Sequence, residues 1–131
     1  MTTYSVILYS HNPKVRHGMR SAIGEQPTED VTIEYLEASD YDEAIRLIDT
    51  YEIDLMLLDG ESQPAGGLGI ARQLRDELDD PPTTCVVLKR AADQWLAAWS
   101  RADASLTHPL DPIRTSAAIV ELLRSRATAT T

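Results

Sequence analysis

Five short apolar segments of the chain alternate with segments in which apolar residues recur every three or four positions. Runs rich in Val, Ile, Leu and Tyr are typical of strands, whereas the longer spacing is typical of amphipathic helices. The predicted strands are residues 4–10, 31–38, 54–59, 83–88 and 104–107. Because each strand is followed by a helix, the pattern predicts a parallel sheet with helices on both faces, joined by right-handed crossovers.

The same spacing predicts helix ends and buried faces. A helix is expected to start at Pro13, Asp40 is expected to cap the next one, and Asp111 with Pro112 to begin the last. The segment around residues 95–99 is predicted to be a short fourth helix. The positions predicted to be buried in the second and fifth helices are Ala44, Leu47, Ile48, Tyr51, Ile113, Ala117, Val120 and either Leu122 or Leu123.

The length of 131 residues predicts one domain, which we place at residues 1–126. Residues 127–131 are small and polar, and are expected to form a disordered tail. No second domain is expected after the last helix, so the protein is expected to stand alone and act by contact rather than through an attached output domain.

Composition narrows the class of protein further. The chain has 12 basic and 21 acidic residues, a net charge of −9, which argues against nucleic acid as a partner. A single cysteine, Cys85, excludes an internal disulfide and is expected to be a small core residue. Neither a leader nor a membrane-spanning run is recognisable, so we expect a cytoplasmic protein that does not insert into membranes.

The apolar run "DLMLLDGE" at residues 54–61 ends on a carboxylate, Asp59. Asp-Gly is a common turn pair, so a turn former is one interpretation of Asp59. The other is a functional carboxylate, because sites in parallel sheets lie at the carboxyl ends of the strands. The residues at those ends are Ser10, His11, Asp59, Lys89 and His108.

These residues also carry a resemblance to a known family. "VILYSHNPKVR", "DLMLLDGE", "GGLGIARQLR" and "ADASLTHPL" resemble the receiver domains of two-component response regulators, from Tyr4 to about Arg124. Asp59 falls on the phosphoacceptor position, and Gly67 follows at the spacing usual in the family. The resemblance implies a flavodoxin-like, doubly wound five-stranded sheet with strand order 2-1-3-4-5. It also implies a cis peptide bond between His108 and Pro109.

The functional positions of the family are changed at four places. Ser10 and His11 replace the acidic pair that holds Mg²⁺, Lys89 replaces a Ser or Thr, and His108 replaces a Lys. Since Mg²⁺ prefers carboxylate and other oxygen ligands, we expect weak or absent Mg²⁺ binding and no cofactor. We expect the Lys89 ammonium either to reach back and pair with Asp59 or, as most lysine side chains do, to point to solvent.

Glu61 is expected at the rim of the same pocket, where rim carboxylates are usually solvated. Three hypotheses follow from the changed pocket. The first is an atypical receiver domain, not an enzyme, that works by protein contact without phosphorylation. The second is a functional receiver phosphorylated on Asp59 by a histidine kinase. The third is a small-ligand or metal-binding protein of the same fold, in which His11, His108 and Asp59 could bind zinc, although no glycine-rich phosphate loop follows the first strand.

The resemblance implies a partner surface as well. In the family, the fourth helix, fifth strand and fifth helix serve for docking or for homodimerisation. Trp95 and Trp99 lie four residues apart on this fourth helix and therefore share one face. They are the interface candidates if they are exposed, with a histidine kinase, an effector protein or a second copy of the chain as partner.

Overall fold

The computed structural model describes residues 2–61 and 67–129, which form one parallel sheet flanked by helices. Its strand order is β2-β1-β3-β4-β5, as the resemblance implies. The strands are β1 (Thr2–Tyr9), β2 (Val31–Ala38), β3 (Leu55–Asp59), β4 (Thr83–Leu88) and β5 (Ala104–Thr107). The helices are α1 (Pro13–Ile23), α2 (Tyr41–Thr50), α3 (Gly67–Glu77), α4 (Gln94–Ser100) and α5 (Pro112–Ala129). A single 3₁₀ turn, Ala91–Asp93, precedes α4.

Each face of the sheet has its own apolar core, because successive strand residues point to opposite faces. On one face, α1 and α5 cover Val6, Leu8, Leu55, Leu57 and Val87. On the other, the core residues of α2 and α3 pack against side chains that alternate with these along the strands, among them Ile7, Met56, Leu58, Val86 and Leu88. Every residue of β3 is buried, as expected for a central strand covered on both sides.

Side-chain caps fix the starts of three helices. Asp40 Oδ1 accepts a hydrogen bond from the Glu43 amide at 2.8 Å, and Asp111 Oδ1 accepts one from the Ile113 amide at 2.9 Å. Both caps were predicted from the sequence. The cap of α1, Asn12, was not predicted, although Asn directly before Pro is a typical helix start.

Cys85 is fully buried in β4, as predicted for a core residue. Burial, with the nearby charge of Asp103, raises the pKa of its thiol to about 12, so the thiol stays protonated at neutral pH. The peptide bond between His108 and Pro109 is cis, which confirms the expectation from the resemblance.

The prediction of which α5 residues are buried is wrong for the first turns of the helix. Ile113 is 81% exposed and Ala117 is also exposed, whereas Thr115, Ile119 and Leu123 are buried. The helix contains two apolar rows, and the sheet is packed against the row with the larger side chains. Val120, which borders both, is buried as predicted.

Two further expectations need correction. Tyr51 is 53% exposed because it follows the last residue of α2 in an extended conformation, and so leaves the buried face. Residues 127–129, which the sequence assigned to the disordered tail, continue α5. Thr130 and Thr131 lie outside the described residues, as do residues 62–66 of the loop after β3. In the described part of the chain, no helix has both the length and the apolar character to cross a membrane.

Candidate functional site

The strand register brings the predicted site residues to one edge of the sheet. Tyr9 of β1 pairs with Leu58 of β3, so that Ser10 and Asp59 directly follow paired residues. Leu88 of β4 pairs with Thr107 of β5, so that Lys89 and His108 do the same on the other side of β3. The four predicted residues thus lie at the carboxyl ends of neighbouring strands, which is where sites in parallel sheets are found.

The Asp59 carboxylate is hydrogen-bonded on both oxygens by neutral groups. The Ser10 hydroxyl donates to Oδ2 at 2.8 Å, and the Glu61 amide donates to Oδ1 at 3.0 Å. Only 5% of Asp59 is exposed, and Ser10 is fully buried. The bond from the amide two residues later is a turn contact of Asp. Asp59 is thus both a turn former and the buried acid of the site.

Ser10 is itself held from two directions. Its hydroxyl accepts a hydrogen bond from the Asn12 amide at 3.1 Å, and its carbonyl accepts one from the Arg16 guanidinium. Arg16 Nε also donates to Glu37 Oε1 at 2.8 Å, which ties α1 to the edge strand β2. Asn12 and Arg16 were not singled out from the sequence. Their role is to fix the Ser10 hydroxyl in the position from which it reaches Asp59.

Gly60 holds the end of β3 against β4. Its amide donates to the carbonyl oxygen of Val87 at 2.9 Å, and a Cβ at this position would lie 2.8 Å from the same oxygen. No larger residue fits here without moving one of the two strands. The close approach of the backbones fixes the direction in which the Asp59 side chain leaves the sheet.

The prediction that Lys89 pairs with Asp59 is wrong. Lys89 is exposed, and among the described residues none of the ion pairs includes it. The physical reason is that an ammonium group loses hydration on entering a buried site, and neutral donors already occupy both oxygens of Asp59. The internal partner of Asp59 is a hydroxyl group, not a cation.

The other predicted residues lie at the rim. His11, His108 and Glu61 are all exposed. His108 is placed by its own amide, which donates to the Leu88 carbonyl oxygen at 2.9 Å. Over residues 2–61 and 67–129, no three His, Cys, Asp or Glu side chains are grouped so that they could hold a metal ion. The structure therefore does not assemble the zinc site considered from the sequence.

The residues also fit Mg²⁺ poorly. That ion takes near-octahedral oxygen ligands, usually from carboxylates, phosphate and water. At this edge the strand ends supply one carboxylate whose two oxygens already accept hydrogen bonds, a hydroxyl that already donates, and imidazole rings. The chemistry that these groups can perform by themselves is to accept and donate hydrogen bonds.

Both tryptophans of α4 are on the surface. Trp95 is 67% exposed and Trp99 is 49% exposed, which satisfies the condition set for the interface candidates. The Arg72 guanidinium of α3 lies 5.0 Å from the centre of the Trp99 ring, and Arg72 also donates to the Trp99 carbonyl oxygen at 2.8 Å. This stacking holds Trp99 in place on the surface.

Basic residues surround the two tryptophans in an otherwise acidic chain. Residues 84–102 contain Lys89, Arg90 and Arg101 against a single acid, Asp93. Arg90 pairs with Asp93 and Arg101 pairs with Asp76 of α3, each at 3.4 Å, and ion pairs with exposed arginines are weak. The α4 surface is thus apolar at its centre, and of the three basic residues at its border Arg90 and Arg101 are ion-paired.

Comparison with solved structures gives the fold independently. A two-component response regulator of the LuxR family from Aurantimonas is 26% identical, with a TM-score of 0.77, over 95% of this chain and 88% of that one. The receiver domain of a Francisella response regulator is 19% identical, with a TM-score of 0.75, over 93% and 98% of the two chains. The receiver domain of AraT, a response regulator from Geobacillus stearothermophilus, gives 19% and 0.76 over 99% and 100%.

Sequence comparison finds relatives of higher identity than these solved structures. No family model matches the chain. Two proteins, each named as an uncharacterized response regulatory protein, come from the CDC 1551 and H37Rv strains of Mycobacterium tuberculosis. Both are 41% identical to this chain over 127 residues, which are 96% of this chain and 96% of each relative. At this identity over nearly the whole length, the chain belongs to the response regulator family, as a receiver domain of two-component signalling.

Proposed function

We propose that this receiver domain signals by protein contact from one fixed state, without Mg²⁺-dependent phosphorylation of Asp59. The observation that carries the proposal is the hydrogen bonding of the Asp59 carboxylate. Both oxygens accept from donors of the chain itself, and the group is 5% exposed. Its neighbours thus supply the ordering contacts that a phosphoryl group and a metal ion would otherwise supply. The cytoplasmic location expected from the sequence is part of the same proposal.

Phosphorylation of Asp59 would meet two obstacles. Phosphoryl transfer relies on positioning and on cations that neutralise the developing charge. At this edge the carboxylate ligands for a metal are replaced by Ser10 and His11, while Lys89 and His108 are exposed. In addition, attack by Oδ2 draws electron density from the oxygen that accepts from Ser10, and so weakens the hydrogen bond of a fully buried hydroxyl.

The test is incubation with acetyl phosphate and Mg²⁺, followed by intact-protein mass spectrometry. We expect no gain of a phosphoryl group on the unmodified chain, while a receiver domain that retains its acidic pair, treated in parallel, gains one. The variant carrying Ser10→Asp, His11→Asp, Lys89→Thr and His108→Lys restores the family pattern and is expected to gain the adduct. Adding Asp59→Asn to that variant is expected to abolish it.

A phosphoryl adduct on the unmodified chain that disappears in Asp59→Asn would contradict the proposal. It would favour the second hypothesis, a receiver loaded by a histidine kinase through a changed pocket. Mg²⁺ binding by the variant with the restored pattern is measured as a rise in its melting temperature. Such a rise shows that the variant is folded and that the unmodified chain lacks the metal site.

For the contact itself, we propose the α4 surface formed by Trp95 and Trp99 and bordered by Lys89, Arg90 and Arg101. Exposed tryptophans side by side are typical of the centre of an interface. The basic border within a chain of net charge −9 favours a protein partner that presents carboxylates around an apolar residue. A second copy of this chain is the alternative, and sedimentation velocity distinguishes it.

The test compares partners captured from the native host by three forms of the chain. A partner of this surface is retained by the unmodified chain and by Tyr51→Ala, which removes an equally exposed aromatic residue beyond α2. It is lost with Trp95→Ala combined with Trp99→Ala. Retention by all three forms would place the contact elsewhere.

A further inference from the structure

An open cavity of about 310 Å³ lies between α1 and the loop that joins β5 to α5. It uses neither Asp59 nor the tryptophans of α4. Its volume is at the lower end of the range for small-molecule sites. The lining residues are Lys14, Val15, Gly18, Met19, His108, Pro109 and Leu110.

The lining combines an apolar floor with two nitrogen donors. Val15 and Leu110 are half-buried and Pro109 is exposed, so the accessible part of the floor is apolar, whereas Met19 is fully buried. Lys14 and His108 are exposed, and none of the ion pairs among the described residues includes either. The cavity lining contains no acidic residue, and Asp111, the next acid along the chain, is engaged by the Ile113 amide as a helix cap.

Gly18 lies on the wall of the cavity, and neither a positive φ nor a close neighbour requires a glycine at this position. Glycine inside a helix is less stable than alanine. The backbone of Gly18 is in the ordinary helical region, and a Cβ there would meet nothing within 4 Å. What the glycine does achieve is a bare stretch of helix backbone at the wall of the cavity. A flat molecule can approach that wall more closely than it could approach a side chain.

We propose that this cavity binds a small organic anion, a single carboxylate on a compact apolar body. The carboxylate is placed near the Lys14 ammonium and the His108 ring, and the apolar body lies against Gly18, Val15 and Leu110. A free small molecule fits better than a protein segment because the cavity is small and apolar at its floor. The inference goes beyond the proposed function and does not depend on it.

The experiment is an NMR titration of the full chain, labelled with ¹⁵N, with benzoate and separately with benzamide. The two probes share size and shape, and only benzoate is charged. We expect benzoate to shift the amide signals of Gly18, Met19 and Leu110 in a saturable manner, and benzamide to bind at least fivefold more weakly, as expected for one unit charge near another in water.

Three variants sharpen the test. Lys14→Gln is expected to weaken benzoate binding about fivefold, whereas Arg46→Gln, which removes one positive charge from the exposed side of α2, is expected to leave it unchanged. Gly18→Leu is expected to abolish the shifts of Met19 and Leu110 while raising the melting temperature by about 2 to 4 °C. Loss of binding in a more stable protein cannot be ascribed to unfolding.

Three results would overturn the proposal. Absence of saturable shifts with benzoate excludes the site for this class of ligand. Equal affinity for benzoate and benzamide shows an apolar cavity without anion recognition. Equal effects of Lys14→Gln and Arg46→Gln show that only the net charge of the protein matters.

Discussion

The two halves of the strand-end edge differ in burial and in bonding. On the side of β1 and β3, Ser10 and Asp59 are buried and bonded to each other at 2.8 Å. On the side of β4 and β5, Lys89 and His108 are exposed. Ser10, Lys89 and His108 are unusual for the family, whereas Asp59 matches it. We call the side of β1 and β3 the closed half and the side of β4 and β5 the open half. The closed half shows that a carboxylate can stay buried when neutral donors reach it, and the open half shows that a cation beside it stays in water.

The sheet itself explains part of this contrast. β1 and β3 are interior strands, whereas β5 is an edge strand whose four residues are only half-buried. Arg16 and Asn12 of the α1 start add further hydrogen bonds on the interior side. The predictions that follow test whether the free energy of unfolding depends on the closed half and not on the open one.

The largest effect is expected for Ser10→Ala. Removing the hydroxyl leaves Asp59 Oδ2 buried without a donor, which is expected to lower the free energy of unfolding by about 2 to 3 kcal/mol. Urea denaturation followed by circular dichroism measures it. Ser21→Ala, on the exposed side of α1, is the matched control and is expected to change stability by less than about 0.5 kcal/mol. Equal effects in the two variants would show that the Ser10–Asp59 bond is not stabilising.

A smaller loss is expected for Arg16→Met, which keeps an apolar stem but removes the guanidinium. The side chain is only 16% exposed and bonds both the Ser10 carbonyl and Glu37, so we expect a loss of about 1 to 2 kcal/mol. Glu37→Gln removes only the ion pair. Since the Glu37 side chain is 48% exposed, that variant is expected to lose less than about 1 kcal/mol. If Glu37→Gln costs as much as Arg16→Met, the bond to Ser10 adds nothing.

The closed half also predicts a pH dependence. Burial, and then the charge of Asp40, raises the pKa of Tyr9, which directly precedes Ser10. Because the folded protein holds the Tyr9 proton more tightly than the unfolded chain does, protonated Tyr9 favours the folded state. This contribution to stability is complete below pH 10 and is lost as the pH rises above it. We expect Tyr9→Phe to flatten the decline in stability between pH 10 and 11 by up to about 1 kcal/mol. Parallel curves for the two proteins, measured by urea denaturation at each pH, would contradict this.

The smallest effects are expected in the open half. Lys89→Gln and His108→Gln, made singly, are expected to change the free energy of unfolding by less than about 0.5 kcal/mol, because both side chains are exposed and neither joins an ion pair of the described residues. A loss above 1 kcal/mol for Lys89→Gln in urea denaturation would revive the predicted contact with Asp59.

The sequence was sufficient to predict the fold and to predict which residues lie at the carboxyl ends of the strands. The sequence pattern predicted β2, β4 and β5 with the bounds that the structure has, because each is a short strand-like segment between clear breaks. It was not sufficient for the exposed start of α5, where Ile113 and Ile119 begin two competing apolar rows. Within the site, strand-end position predicted which residues meet but not where each side chain points. The direction of Lys89 depends on hydration and on the hydrogen bonds already made by Asp59, which no linear pattern contains.

Gly60 has a consequence for how such chains can diverge. Asp59 could be exchanged for another residue with the loss of two hydrogen bonds, but a side chain at position 60 would collide with the Val87 carbonyl oxygen and separate two central strands. A change at the acidic position therefore costs hydrogen bonds but moves no strand, whereas a change at the glycine displaces the backbone. In a diverged lineage, the small residue after the third strand should outlast the chemistry beside it as a marker of common descent.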